Sequence, residues 1–126
     1  MPRNSDNPFS ALKRIFHEPN RLAIMSVLCN AIEGATFNQL KEECELTDGN
    51  LSSHLKMLEE ACIIYIEKTF VGSKPQTKVF LTDSGRESFI NYLKALEMVL
   101  IKAAESVSTE EKKYFSILSW LKPVEV

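Results

Sequence analysis

With three cysteines, one tryptophan and four glycines in 126 residues, the sequence lacks the material for several protein classes. Cys29, Cys44 and Cys62 are odd in number, widely spaced and form no Cys-x-x-Cys or Cys-x-Cys pair, which excludes a disulfide framework and a cysteine metal clasp. They read as buried reduced thiols. Neither sign of charge dominates: fifteen basic residues stand against seventeen acidic ones, a net charge of −2. No global field then draws the chain to a polyanion, and any such contact must come from a local patch. Apolar runs such as Met98 to Ile101 are far shorter than the roughly 20 residues that span a bilayer. The polar opening, Met1 to Pro8, has no apolar h-region, so a cytoplasmic protein without a membrane partner is expected. Paired carboxylates, a Ser-His-Asp set, a phosphate-cradling Gly loop and a metal constellation are all missing, so neither enzyme activity nor a cofactor is expected. His17 reads as a capping or surface residue and His54 as one satisfied locally.

What is there is ordinary for a globular chain, 44% hydrophobic and 25% charged, and the length suits a single domain, 1–126. Phe9, Leu12, Ile15 and Phe16 recur at helical spacing and predict a short first helix that stops before Pro19. Pro19 opens a second helix, apolar on most sides through Leu22, Ile24, Met25, Leu28 and Ile32 until Gly34 ends it; such a helix belongs in the core. Thr36 caps a third helix, Phe37 to Cys44. Leu46-Thr47-Asp48-Gly49 is a tight turn, and Asp48 can cap a fourth helix, Gly49 to Ala61, with Leu51, Leu55, Leu58 and Cys62 within about 60° on a wheel. Two short helices joined by such a turn are a helix-turn-helix candidate.

The period then becomes two. Residues 64–71 and 78–82 predict a β-hairpin with a six-residue tip, Gly72 to Thr77, before a long helix from about Ser84 to Glu105. Ser108-Thr-Glu-Glu111 is a capping box for a last helix ending near Lys122. The predicted fold is mainly α with a small β-hairpin: a winged helix-turn-helix core over 9–82, with its recognition helix at 49–61 and wing at 64–82, followed by C-terminal dimerisation helices over 83–122.

Four segments carry a resemblance: Pro19-Asn-Arg-Leu22, Leu46 through Ala61, Lys68 through Thr77, and Leu81-Thr-Asp-Ser-Gly-Arg86. Together, over about residues 16 to 101, they resemble the small bacterial and archaeal winged-helix regulators related to the MarR and ArsR groups. The resemblance implies a cytoplasmic DNA-binding repressor whose wing lies along the phosphate backbone, and relatives are often switched by a small-molecule effector or by oxidation. It departs from the family at Gln76, where an Arg is common, and at Cys62, where Gly is usual after Glu-Glu-Ala. A cysteine forced to positive φ there would cost roughly 1 kcal/mol, which predicts a differently shaped helix end.

On the fourth helix the face opposite the leucines, Gly49, Asn50, Ser53, Lys56 and Met57, carries no acid, and Ser52 flanks it. Short hydrogen-bonding side chains beside one lysine are what major-groove readout uses. Thr47, Asn50, Ser52, Ser53 and Lys56 are the candidate DNA-reading residues, and Lys74, Gln76, Thr77 and Lys78 the candidate wing contacts. Lys41, Lys68 and Arg86 could add phosphate contacts and are equally readable as surface charges. Phe89, Tyr92, Leu93, Leu96, Val99 and Leu100 on the long helix, with Phe115, Leu118, Trp120 and Leu121 beyond it, expose more apolar surface than one small domain consumes and predict a homodimer. The rival reading is a winged helix that binds protein and not DNA, supported by the net charge of −2, the single lysine on the recognition face and Gln76.

Overall fold

The computed structural model describes residues 13–105. Residues 13–90 form one compact unit; Asn91 onward belongs to a second. The elements are α1 (Pro19–Cys29), β1 (Ala35–Thr36), α2 (Phe37–Glu43), α3 (Asp48–Glu60), β2 (Ile64–Val71), β3 (Lys74–Leu81) and α4 (Asp83–Ala104). Ahead of α1, residues 14–16 turn back, with the Phe16 and His17 amides both donating to the Lys13 carbonyl. The remainder of the first predicted helix lies outside the described residues.

Proline at the first position of α1 needs no amide partner, and the Glu18 carboxylate accepts the Arg21 amide at 2.8 Å. The helix buries Ile24, Met25 and Leu28 and ends at Cys29, five residues before the expected stop at Gly34. Asn30 closes it through its own amide and through its side chain, which donates to the Ser26 carbonyl. Ile32, expected in the helix, is 86% exposed on the turn that follows. Gly34 at φ +87 then feeds β1, and a Cβ there would meet the Phe80 ring at 2.7 Å. The two-residue strand β1 follows that turn, and its Ala35 and Thr36 pair with Val79 and Lys78 of β3.

The sheet order is β1-β3-β2, all antiparallel. Register partners Ile64/Leu81 and Ile66/Val79 share the face turned to the helices, where Ile64 and Val79 are buried. Leu40 of α2, Leu51, Leu55 and Leu58 of α3, and Phe89 of α4 complete the core; Phe89 meets Phe16 edge to face at 5.2 Å. Truncating one of the fully buried leucines to alanine would cost about 2–5 kcal/mol. On the opposite sheet face Tyr65 stacks on Phe80, centroids 5.0 Å apart and planes 10° from parallel.

Both helices of the helix-turn-helix end in the same six-residue geometry. After α2 the Leu46 amide returns to the Lys41 carbonyl and the Glu45 amide to that of Glu42; after α3 the Ile63 amide returns to Leu58 and the Cys62 amide to Glu59. This Schellman closure places one residue in the left-handed region, and here it is Glu45 (φ 54) and Cys62 (φ 62) in place of glycine. The expectation of a differently shaped end at Cys62 is therefore corrected: the cysteine takes the glycine conformation. It is exposed there, and Cys29 and Cys44 are half-buried, so none of the three thiols is the fully buried one expected.

Candidate nucleic-acid interface

Helix α3 is fixed from three sides. Its leucines anchor it in the core, Thr47 accepts the Asn50 amide at 3.1 Å, and Asp48 pairs with Lys41 of α2 at 3.0 Å. The cap is thus Thr47 and not Asp48: threonine's side chain reaches the free amide, which leaves the carboxylate in the first turn to meet the lysine and the helix dipole. This gives Thr47, expected to contact DNA, a structural task, although the residue is exposed. Asn50, Ser52, Ser53 and Lys56 are all exposed, as the wheel requires, and among the described residues their side chains make no hydrogen bond or ion pair.

Arg21 was not anticipated. Twenty-six positions separate it from Thr47, the first of the candidate DNA-reading residues, but α1 carries it to the flank of α3. Its Nε donates to the Ile15 carbonyl at 2.7 Å, and its Nη1 lies 3.2 Å from His54 Nδ1 and 3.3 Å from Met57 Sδ. A guanidinium beside the acid-free face adds the positive charge that α3 itself, with Asp48, Glu59 and Glu60 against Lys56, does not supply. The only sequence signal was its place in the Pro-Asn-Arg-Leu segment. The partner of His54 Nδ1 is thus a side chain from another helix, 33 positions away, and not the local one expected.

The wing differs from its expected form. Its turn is two residues, Gly72 and Ser73, because Val71 pairs directly with Lys74 and the strands run without interruption to the tip. Gly72 at φ +66, followed by a residue at ordinary φ, fits the glycine-first hairpin turn whose twist matches the strands. Lys74, Pro75, Gln76 and Thr77, expected in the loop, are therefore strand residues. Pro75 is tolerated since β1 pairs only with residues 78 and 79, leaving its nitrogen on an open edge. Lys74 is exposed near the tip, and Gln76 and Thr77 are half-buried. Lys78 lies at the base: its ammonium donates to the Glu33 carbonyl at 3.2 Å and its register partner is Glu67. The structure thus separates Lys78 from the tip with which it was grouped. Between α3 and the wing lies a groove of about 260 Å³ in which Ser52, Lys56 and Glu59 face Ile66, Lys68 and Thr77.

On α4, Phe89 and Tyr92 are each 1% exposed and cannot offer apolar surface to a second chain, a correction to the predicted dimer face. Leu93 and Leu100 are exposed, and Leu96 and Val99 half-exposed. Phe115, Leu118, Trp120 and Leu121 lie outside the described residues. Among the described residues no helix is long and apolar enough to cross a membrane.

A helix-turn-helix followed by a two-stranded wing defines the class. Residues 20–100 match the model of the winged helix DNA-binding domain, and the chain belongs to that family. An uncharacterized protein of Methanocaldococcus jannaschii is 39% identical over 80 residues, 64% of this chain and 86% of that one. A transcriptional regulator homologue from Pyrococcus horikoshii is 31% identical, with TM-score 0.70 over 78% of this chain and 97% of that one. The same fold at 17% identity and TM-score 0.63 is seen in MepR, a transcription regulator of the Staphylococcus aureus multidrug efflux pump MepA, over 93% and 91% of the two chains. A MarR-family transcriptional regulator from Silicibacter pomeroyi shares it at 15% identity and TM-score 0.56, over 94% and 85%. The fold is thus shared with transcription regulators, one of them of the MarR family.

Proposed function

We propose that the protein is a homodimeric, sequence-specific regulator of transcription that acts as a repressor on double-stranded DNA. Asn50, Ser52, Ser53 and Lys56 read base edges in the major groove, with Thr47 at the helix entry, and Lys74, Gln76 and Thr77 carry the wing along the backbone toward the minor groove. Lys78 takes a smaller part because its ammonium is already bound. The observation that carries this reading is the exposed, acid-free face of α3, held rigidly by Thr47 and the leucine core and flanked by Arg21. Leu93, Leu96, Val99 and Leu100, with Phe115, Leu118, Trp120 and Leu121, join two copies, so that two α3 helices meet half-sites about one DNA turn apart. A small-molecule effector is part of the proposal through family resemblance alone.

The test is fluorescence anisotropy with a duplex from upstream of the protein's own coding sequence, titrated against random duplex at two salt concentrations. Preference for the upstream duplex with a steep salt slope supports the reading. Equal, weak binding to both by a folded dimer overturns it.

A further inference from the structure

The wing tip holds a side chain that the core does not need. Phe70 is 72% exposed and Val71 61% exposed, the pair immediately before the Gly72-Ser73 turn. An aromatic ring left in water at the end of a hairpin forgoes its burial free energy, and nothing in the folding of the wing asks for it. Its placement is specific. Phe70 pairs in register with Pro75, and the two share the sheet face of Ile66, Lys68 and Thr77, the face that lines the groove beside α3. From the buried Ile64 to Phe70 the strand advances about 20 Å, so the ring stands well beyond the helical core on the recognition-helix side.

The surroundings point to one kind of partner. Residues 64–81 carry three lysines and one glutamate. The glutamate is the register partner of Lys78 at the base, which leaves Lys68 on the sheet face of Phe70 and Lys74, the register partner of Val71, on the opposite face of the tip. An apolar ring and a proline, stiffened by a continuous two-stranded ladder and bracketed by ammonium groups, suit a polyanion with a stacked apolar interior. Gln76, where an arginine would serve as a minor-groove reader, lies on the opposite sheet face from Phe70, as the register partner of Thr69.

We propose that Phe70, backed by Pro75, is a wedge that enters the minor groove and partly unstacks a base step of the bound duplex, so that the wing reads deformability in place of base edges. Apolar wedges of this kind favour pyrimidine–purine steps, which unstack at least cost. The inference rests on the DNA-binding reading above and adds to it a specificity residue.

The experiment uses the full chain and the upstream duplex carrying 2-aminopurine at one TA or CA step at a time. Wild-type protein is expected to raise the probe's fluorescence at one step in each half-site, and Phe70→Ala to abolish the rise. Its affinity should fall about ten-fold by the same factor at both salt concentrations, since no ion is released by the ring, whereas the loss in Lys74→Ala should shrink as salt rises. Phe70→Trp should restore both affinity and unstacking. Because Phe70 is exposed, its thermal midpoint serves as the folding control. Wild-type binding with no fluorescent step, or Phe70→Ala binding as tightly as wild type, overturns the wedge and leaves the DNA reading standing. Loss of dimerisation in Phe70→Ala at unchanged duplex affinity assigns the ring to a protein contact and also overturns it. Failure of the wild-type chain to bind any duplex removes both.

Discussion

The guanidinium of Arg21, on the first helix, lies 3.2 Å from Nδ1 of His54 on the third. The same side chain ties the Ile15 carbonyl and touches Met57, so one residue joins the segment before α1 to the outer flank of the recognition helix. The arrangement uses the fork of an arginine, and a lysine cannot reproduce it. Arg21→Ala should destabilise the fold by about 1–2 kcal/mol in urea melts, and Arg21→Lys by nearly as much. Full rescue by lysine would show that the charge alone matters.

Cys62 occupies a conformation that glycine prefers. Cys62→Gly removes the steric strain at φ 62 but adds freedom to the unfolded chain, so the gain is at most about 1 kcal/mol. Cys62→Val, branched at Cβ, should lose at least as much. Denaturant midpoints in the order Gly, Cys, Val would establish the strain; the reverse order would refute it.

Gly85, in the first turn of α4, has no room for a side chain. A Cβ there would collide with the Ile63 carbonyl oxygen and lie 2.8 Å from Ile63 Cα, all of it backbone that cannot swing aside. The packing is fixed from the other direction as well, because Thr82 Oγ1 accepts the Gly85 amide at 2.8 Å while its hydroxyl donates to the Cys62 carbonyl at 2.7 Å. Gly85→Ala should therefore cost roughly 3 kcal/mol despite alanine's higher helix propensity, seen as a fall of several degrees or more in the melting temperature.

Burial pushes the thiols of Cys29 and Cys44 upward from the ordinary cysteine value of 9.0, with Arg86 partly opposing the shift at Cys29 and Glu43 adding to it at Cys44. The folded chain then holds these protons more tightly than the unfolded one. Their contribution to stability is whole below pH 9 and is lost as pH climbs through the raised values, so alkaline solution should favour unfolding. A disulfide reagent near neutral pH should modify exposed Cys62 first and the other two only on opening. Simultaneous labelling of all three would contradict this.

On DNA, Lys74→Ala should weaken binding to every sequence and lower the salt slope by about 1, while Asn50→Ala or Ser53→Ala should relax base preference. Lys78→Ala should do less than Lys74→Ala, because its ammonium already serves the Glu33 carbonyl. Equal losses on random and upstream duplex for all four variants would remove the division between reading and positioning.

Local information in the sequence was enough for the helix-turn-helix, the hairpin and the long helix, since each is written in a period of apolar residues: Leu51, Leu55 and Leu58 at helical spacing, Ile64 and Ile66 at alternate ones. It also placed Asn50, Ser53 and Lys56 on the outer face, which follows from the wheel once the leucine side is buried. The strand β1 was not legible, because it depends on contacts across the chain, Gly34 against Phe80 and Ala35 against Val79; the end of α1 at Asn30 and the two-residue wing turn opposite Val71 and Lys74 are local, but apolar periodicity does not mark them. Residue type alone could not say that Thr47 would cap in place of Asp48, or that Phe89 would pack on Phe16 and be lost to a dimer face. Nor could it bring Arg21 to His54, which are 33 positions apart. Periodicity is a property of one element at a time and survives without its neighbours; which donor meets which acceptor, and which ring stays in water, is decided only when the elements pack.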